Sequence, residues 1–243
     1  MNWISECKSE SAWNCLKVRT AVSQLKGWAL NSRCLGAAGA VLLAVLISAA
    51  CGPSGTRYFT LLVPKAPAAT GPKTRFILQI EHFDAPDLLR DSRIIYYTSP
   101  TQLRYYQRDR WVSEPGEILS ELALKYFAET ELFQQVYPYP APTPADYTLR
   151  GRVFDFAGIA YGKNDLGKAG EARLGLELDL IATEQNKVVW SARLTDTEPA
   201  QKNNVQGIVN AMNAAAERLF QQAYGGISQA VESNASQKQD HAH

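Results

Sequence analysis

Cysteine stops at position 51. The chain has four cysteines in 243 residues, Cys7, Cys15, Cys34 and Cys51, so everything after position 51 folds without an internal disulfide or a thiolate metal site. Immediately before Cys51, residues 35–50 (LGAAGAVLLAVLISAA) form an uncharged apolar run that ends on Ser48, Ala49 and Ala50. Gly52-Pro53-Ser54-Gly55 follows as a flexible, polar spacer. At 16 residues the run is shorter than the ~20 apolar residues that usually cross a bilayer and close to the ~7–15 of a signal-peptide core. An uncleaved anchor helix is the competing reading.

The arrangement resembles a bacterial lipoprotein signal: apolar core, small residues, then a cysteine that becomes the new N-terminus. The sulfur would be consumed as a thioether to diacylglycerol, with an N-acyl chain such as palmitate on the freed amine, which removes the oxidation hazard of a lone exported thiol. Two features depart from the usual pattern. Ser48 stands three before Cys51, where Leu, Val or Ile is usual, and 34 residues precede the apolar run. A start at Val18 would leave Lys26 and Arg33 as the positive n-region. The expected organisation is a long leader over 1–50, a lipidated Cys51 and linker over 51–56, a folded domain over 57–227 and a disordered tail over 228–243.

Charge gives no support to one class of partner. Of 25 basic and 24 acidic side chains, five and two lie in the first 50 residues, which leaves residues 51–243 near −2. A nucleic-acid binder usually carries a basic surplus.

Periodicity outlines the domain. Residues 57–63 (RYFTLLV) are rich in β-formers, and 64–73 read as a Pro/Ala/Gly loop. Residues 74–83 alternate as a strand with Phe76, Leu78 and Ile80 on one face. Residues 93–97 and 102–107 flank a polar turn containing Pro100, a hairpin signature. A helix is predicted from Pro115, with Ile118, Leu119, Leu122, Ala123, Tyr126 and Phe127 on one stripe and Glu121–Lys125 on another. Four prolines in 137–144 (YPYPAPTP) predict a surface loop. Residues 146–156, 171–183 and 188–194 alternate as three strands of an antiparallel meander, with turns at 163–165 and 184–187. A final helix over about 203–223 is expected to stop at Gly225-Gly226. The expected fold is a single α+β domain: a mostly antiparallel sheet with two main helices packed on one face.

Catalytic chemistry finds few groups to work with. His241 and His243 sit in the predicted tail, and with His82 alone no Ser-His-Asp or Cys-His pair is expected within the fold. His82 and Asp84 share a strand face, but two neighbouring side chains make a poor metal site. No catalytic residue, metal site or cofactor is expected beyond the lipid on Cys51. One segment invites a partner-binding reading: Arg104, Tyr106, Arg108 and Arg110, ending at Trp111, align on one face at strand spacing, and Arg and aromatic side chains are enriched at interfaces. The plainer reading is a solvated hairpin face with Trp111 closing the core.

Several segments together resemble one known family. Arg57-Tyr58-Phe59-Thr60-Leu61 shortly after Cys51 is similar to the opening motif of the ABC-type transport auxiliary lipoproteins. Residues 93–97 (RIIYY), Leu103, Arg110-Trp111 and Pro115 resemble its next block, with Tyr97 where the family often has Arg. Asp146-Tyr147, Leu149 and Val153-Phe154-Asp155-Phe156 resemble a third, and Trp190, Leu194 and the alanine-rich last helix also fit. The resemblance spans nearly all of 56–227. It implies a non-enzymatic, periplasm-facing lipoprotein that works with an ABC permease, its ATPase and a mammalian-cell-entry (MCE) domain protein to move lipids or other apolar molecules. Gly52 rather than Asp after Cys51 implies outer-membrane sorting, and a homo-oligomer is part of the same expectation. The alternative is a stand-alone periplasmic carrier that holds an acyl chain between sheet and helices, for which a pocket of several hundred Å³ would be needed.

Overall fold

The computed structural model describes residues 55–67, 74–160, 170–202 and 204–240, the last four by backbone alone. Cys51 with its apolar run, the turn at 163–165, and His241 and His243 lie outside the described residues. In chain order the elements are β1 (Arg57–Phe59), β2 (Ile77–Ile80), a 3-10 turn (Asp87–Leu89), β3 (Arg93–Ser99), β4 (Gln102–Trp111), α1 (Pro115–Glu129), β5 (Gln135–Pro138), β6 (Tyr147–Ile159), β7 (Glu171–Ala182), β8 (Lys187–Pro199) and α2 (Val205–Asp240).

The meander forms as its period-two pattern demands. β6, β7 and β8 pair antiparallel along nearly their whole length, with Leu174, Leu176, Leu178 and Leu180 buried on the inner face. The outer face is an ion-pair layer: Asp155 with Arg173, Glu177 with Arg193, and Glu81 with Arg150. The turn from β7 to β8 is made by Asn186 in a left-handed conformation (φ 48°), which asparagine tolerates.

Beyond β6 the sheet departs from the mostly antiparallel plan. The other edge of β6 is shared end to end by two strands, β2 along Tyr147–Leu149 and β3 along Gly158–Ile159, both parallel to it. β5 then adds parallel to β2, and β4 adds antiparallel to β3 with β1 parallel on its far side. Four of the seven strand pairs are parallel, so the sheet is mixed. The cause is α1: it carries the chain from the end of β4 across to β5, so β2 and β5 meet with the same sense rather than through a hairpin. β5 also corrects the reading of 137–144 as all loop. Tyr137 and Pro138 belong to an edge strand, where proline is tolerated.

Both helices cover the inner face, and residues from Gly55 onward form one α+β unit with one apolar core. Pro115 opens α1 in its first turn, and the predicted stripe from Ile118 to Phe127 is buried. Glu121 and Lys125 pair at 3.6 Å on its exposed side. Asn204 caps α2 by accepting the Gly207 N–H at 2.8 Å. α2 does not stop at Gly225-Gly226 but runs on to Asp240, against the expected stop and disordered tail. The stripe Phe220, Ala223, Ile227, Val231 stays fully buried, and that burial outweighs the helix-breaking tendency of two glycines. Among the described residues no helix is long and apolar enough to cross a membrane.

Candidate functional site

The Arg–aromatic row predicted on one strand lies on β4, next to the short edge strand β1, but the strand does not keep it on one face. Tyr96 pairs with Arg104 and Ile95 with Tyr105, and then Arg93 pairs with Arg110. Between the last two pairs β4 advances five residues, 105 to 110, while β3 recedes two. The odd excess is a bulge, and it turns the later residues over relative to the earlier ones. Arg104 and Tyr106 therefore share a face with Tyr96, whose ring lies 4.6 Å from that of Tyr106. Arg110 lies on the opposite face with Arg93, and across the next pair with Tyr58 of β1. Trp111 is 2% exposed and packs edge-on against Phe156 at 4.9 Å, so it belongs to the core and offers nothing to a partner.

Electrostatics sharpen the division. Arg93 bridges the hairpin base: its guanidinium sits 3.9 Å over the Tyr105 ring and donates to Asp91 at 2.5 Å. Burial works against the Asp91 charge, but its bonds from the Arg93 backbone and side chain outweigh that and hold the carboxyl below the ordinary range. Burial, with Tyr96 and Asp109 nearby, pushes the Tyr106 hydroxyl up. Arg104 and Arg108 are exposed, and among the described residues neither has a carboxylate partner, whereas Arg57 and Arg150 each hold one and Arg90 and Arg218 each hold two. Asp109, which the row reading passes over, is nine-tenths buried and accepts from Arg57 at 2.7 Å, so it fastens β1 to β4. An acidic residue inside an arginine-rich strand is the signal that could have marked it.

His82 and Asp84 contact different partners. His82 Nε2 lies 3.4 Å from Glu114, and Asp84 accepts from Arg90 at 2.8 Å. Among the described residues no three metal-ligating side chains cluster. A shallow groove of about 180 Å³ lies beside α1, where Glu81, Glu117 and Glu121 surround Leu124 and Tyr139.

The first strand of this α+β unit begins six residues after Cys51. The family described as ABC-type transport auxiliary lipoprotein component matches residues 59–223, and the chain belongs to that family. A solved protein of the DUF330 family from Xanthomonas campestris is similar in structure, with a TM-score of 0.65 and 17% identity over 74% of this chain and 99% of that one. A second solved structure, of an uncharacterized protein, gives a TM-score of 0.54 and 18% identity over 73% and 99%. At these identities the likenesses bear on the fold. No curated protein matches the chain.

Proposed function

We propose that the chain is a non-enzymatic, periplasm-facing lipoprotein subunit of an MCE-type ABC transport system that moves lipids or other apolar molecules across the envelope. The single observation that carries the reading is the family match over 59–223, which begins eight residues after a cysteine bearing a lipoprotein-like signal. Cys51 carries the diacylglycerol and N-acyl lipid, and Gly52 directs the chain to the outer membrane. From there the domain meets the MCE protein, its permease and its ATPase, and it associates with further copies of itself.

A scaffold role agrees with the interior. The space between sheet and helices is filled by side chains of both, with Leu78, Leu149, Leu174, Ala215 and Phe220 all fully buried. The acidic groove beside α1 is well below the several hundred Å³ that an acyl carrier needs.

Affinity purification of the full chain, tagged at its C-terminus, from native membranes tests the assignment. Permease, ATPase and MCE subunit are expected together in the eluate. Their absence, with one equivalent of extractable lipid per chain, would establish the carrier instead. Intact mass of the same material reads the state of Cys51.

A further inference from the structure

We propose that the β3–β4 hairpin lies against the headgroup layer of the membrane that holds the chain, with Arg104 and Arg108 on lipid phosphates. The inference rests on the reading of Cys51 as lipidated, and it adds which face of the domain meets the bilayer.

Strand sense comes first. β1 is parallel to β4, with Arg57 opposite Asp109. The tether that precedes Arg57 therefore enters from the side on which β4 runs back through Arg108 and Arg104 to the hairpin tip at Pro100 and Thr101. Lengths come second. From Cys51 to Arg57 the chain spans at most about 20 Å. From Asp109 back to Thr101 is eight residues, about 25 Å at strand rise. Whatever path it takes, a tether of that reach keeps Arg57, and with it the neighbouring side of β4, within about 20 Å of the surface that holds the lipid.

Chemistry comes third. Arg104 and Arg108 are exposed and unpaired among the described residues, on an edge where the neighbouring Arg57 and Arg93 are both committed to carboxylates. A free guanidinium matches a phosphate with two parallel hydrogen bonds. The Tyr96–Tyr106 pair beside Arg104 supplies aromatic rings with polar tips, the type enriched at membrane–water boundaries. The opposite pole of the sheet is marked by the β7–β8 turn. β6 runs parallel to β3, and β7 antiparallel to β6, so the end of β7 and Gln185 point away from the hairpin tip.

A single-thiol label reads the contact directly, because cleavage before Cys51 removes Cys7, Cys15 and Cys34, lipidation blocks Cys51, and no cysteine follows it. Thr101→Cys and Gln185→Cys, each in the full chain, are labelled with an environment-sensitive fluorophore and reconstituted in phosphatidylethanolamine–phosphatidylglycerol vesicles that carry a headgroup nitroxide. The expected result is strong quenching and a blue shift at position 101, none at 185, and loss of the position-101 quenching when Arg104→Glu and Arg108→Glu are added. Intact mass and vesicle flotation of the same samples separate the two levels. A chain that floats with its lipid but is as water-exposed at 101 as at 185 overturns the hairpin assignment alone. A chain with unmodified Cys51 that stays in solution overturns the anchor and the hairpin with it.

Discussion

The indole of Trp190 on β8 rests on Gly226 of α2, so close that a methyl group at position 226 would come within 2.3 Å of the indole Nε1. The neighbouring Gly225 faces open space. Two adjacent glycines in one helix therefore do different things. Gly226 is a notch that lets the helix approach the last strand, and Gly225 makes no such contact.

Alanine substitution separates them. Gly225→Ala should stabilise the domain by up to about 1 kcal/mol, the ordinary helix-propensity gain. Gly226→Ala gains the same propensity but drives a methyl into a rigid ring, and overpacking of that kind costs roughly 1–3 kcal/mol. Urea denaturation of both variants should thus give midpoints that move in opposite directions. Equal upward shifts would show that Trp190 does not seat on the helix.

What the sequence reveals and what it hides divides along the same line. The meander is legible because Leu174 to Leu180 alternate with charges, a local pattern that needs no partner to interpret. α1 is legible through Pro115 and its apolar stripe. The Gly225-Gly226 stop is misread because local propensity says nothing of Ile227 and Val231, whose burial is tertiary. The parallel pairing of β2 and β3 along one edge of β6 is hidden for the same reason: no turn residue records it. The Arg104–Trp111 row fails as a single face because a bulge opposite Ile94 leaves no mark in a strand of arginines and tyrosines. Strand sense, which places that row beside the segment leading into β1, comes from the parallel pairing of β1 with β4.

Tyr126 gives the domain an alkaline weakness. Its ring is buried against Phe127 and Phe220, and among the described residues its hydroxyl has no hydrogen-bond partner. Burial, then the nearby Tyr224 and Glu217, pushes its pKa up to about 12. Between pH 10 and 12 the unfolded chain releases this proton and the native one keeps it, so stability present below pH 10 is lost as pH rises. The loss amounts to about 2–3 kcal/mol over the window. Tyr126→Phe should remove this component of the decline and, by deleting an unsatisfied buried hydroxyl, raise neutral-pH stability by about 1 kcal/mol. Denaturation curves of both chains at pH 9 and pH 11 check it; an unchanged pH slope would mean the hydroxyl is solvated.

Arg57 holds the first strand in place from outside. Its exposed guanidinium neutralises the buried Asp109, and two residues on, Phe59 accepts the Val112 N–H at 2.9 Å. Arg57→Ala strands a buried carboxylate, so β1 should detach before the rest of the sheet loosens. Hydrogen exchange is the measurement: the Val112 amide should exchange faster, with the β6–β7 amides unchanged. Uniform acceleration across the sheet would instead make β1 part of the cooperative core.

The continuation of α2 beyond the glycine pair is itself testable. Ile227 and Val231 are both fully buried, and they extend the stripe of Phe220 and Ala223 by two further turns. A helix held this way should respond to a cavity as a core element does. Ile227→Ala should cost about 2–5 kcal/mol, the range for a buried large aliphatic side chain. A tail that is disordered from position 228 would leave Ile227 at a frayed end, where substitutions stay within about 0.5 kcal/mol. The same variant should lose exchange protection at the amides of residues 228–235 before those of residues 208–220, because the glycine pair gives the helix its weakest intrinsic turn there. A near-neutral Ile227→Ala, with 228–235 unprotected in the parent chain, would return the helix end to Gly225-Gly226.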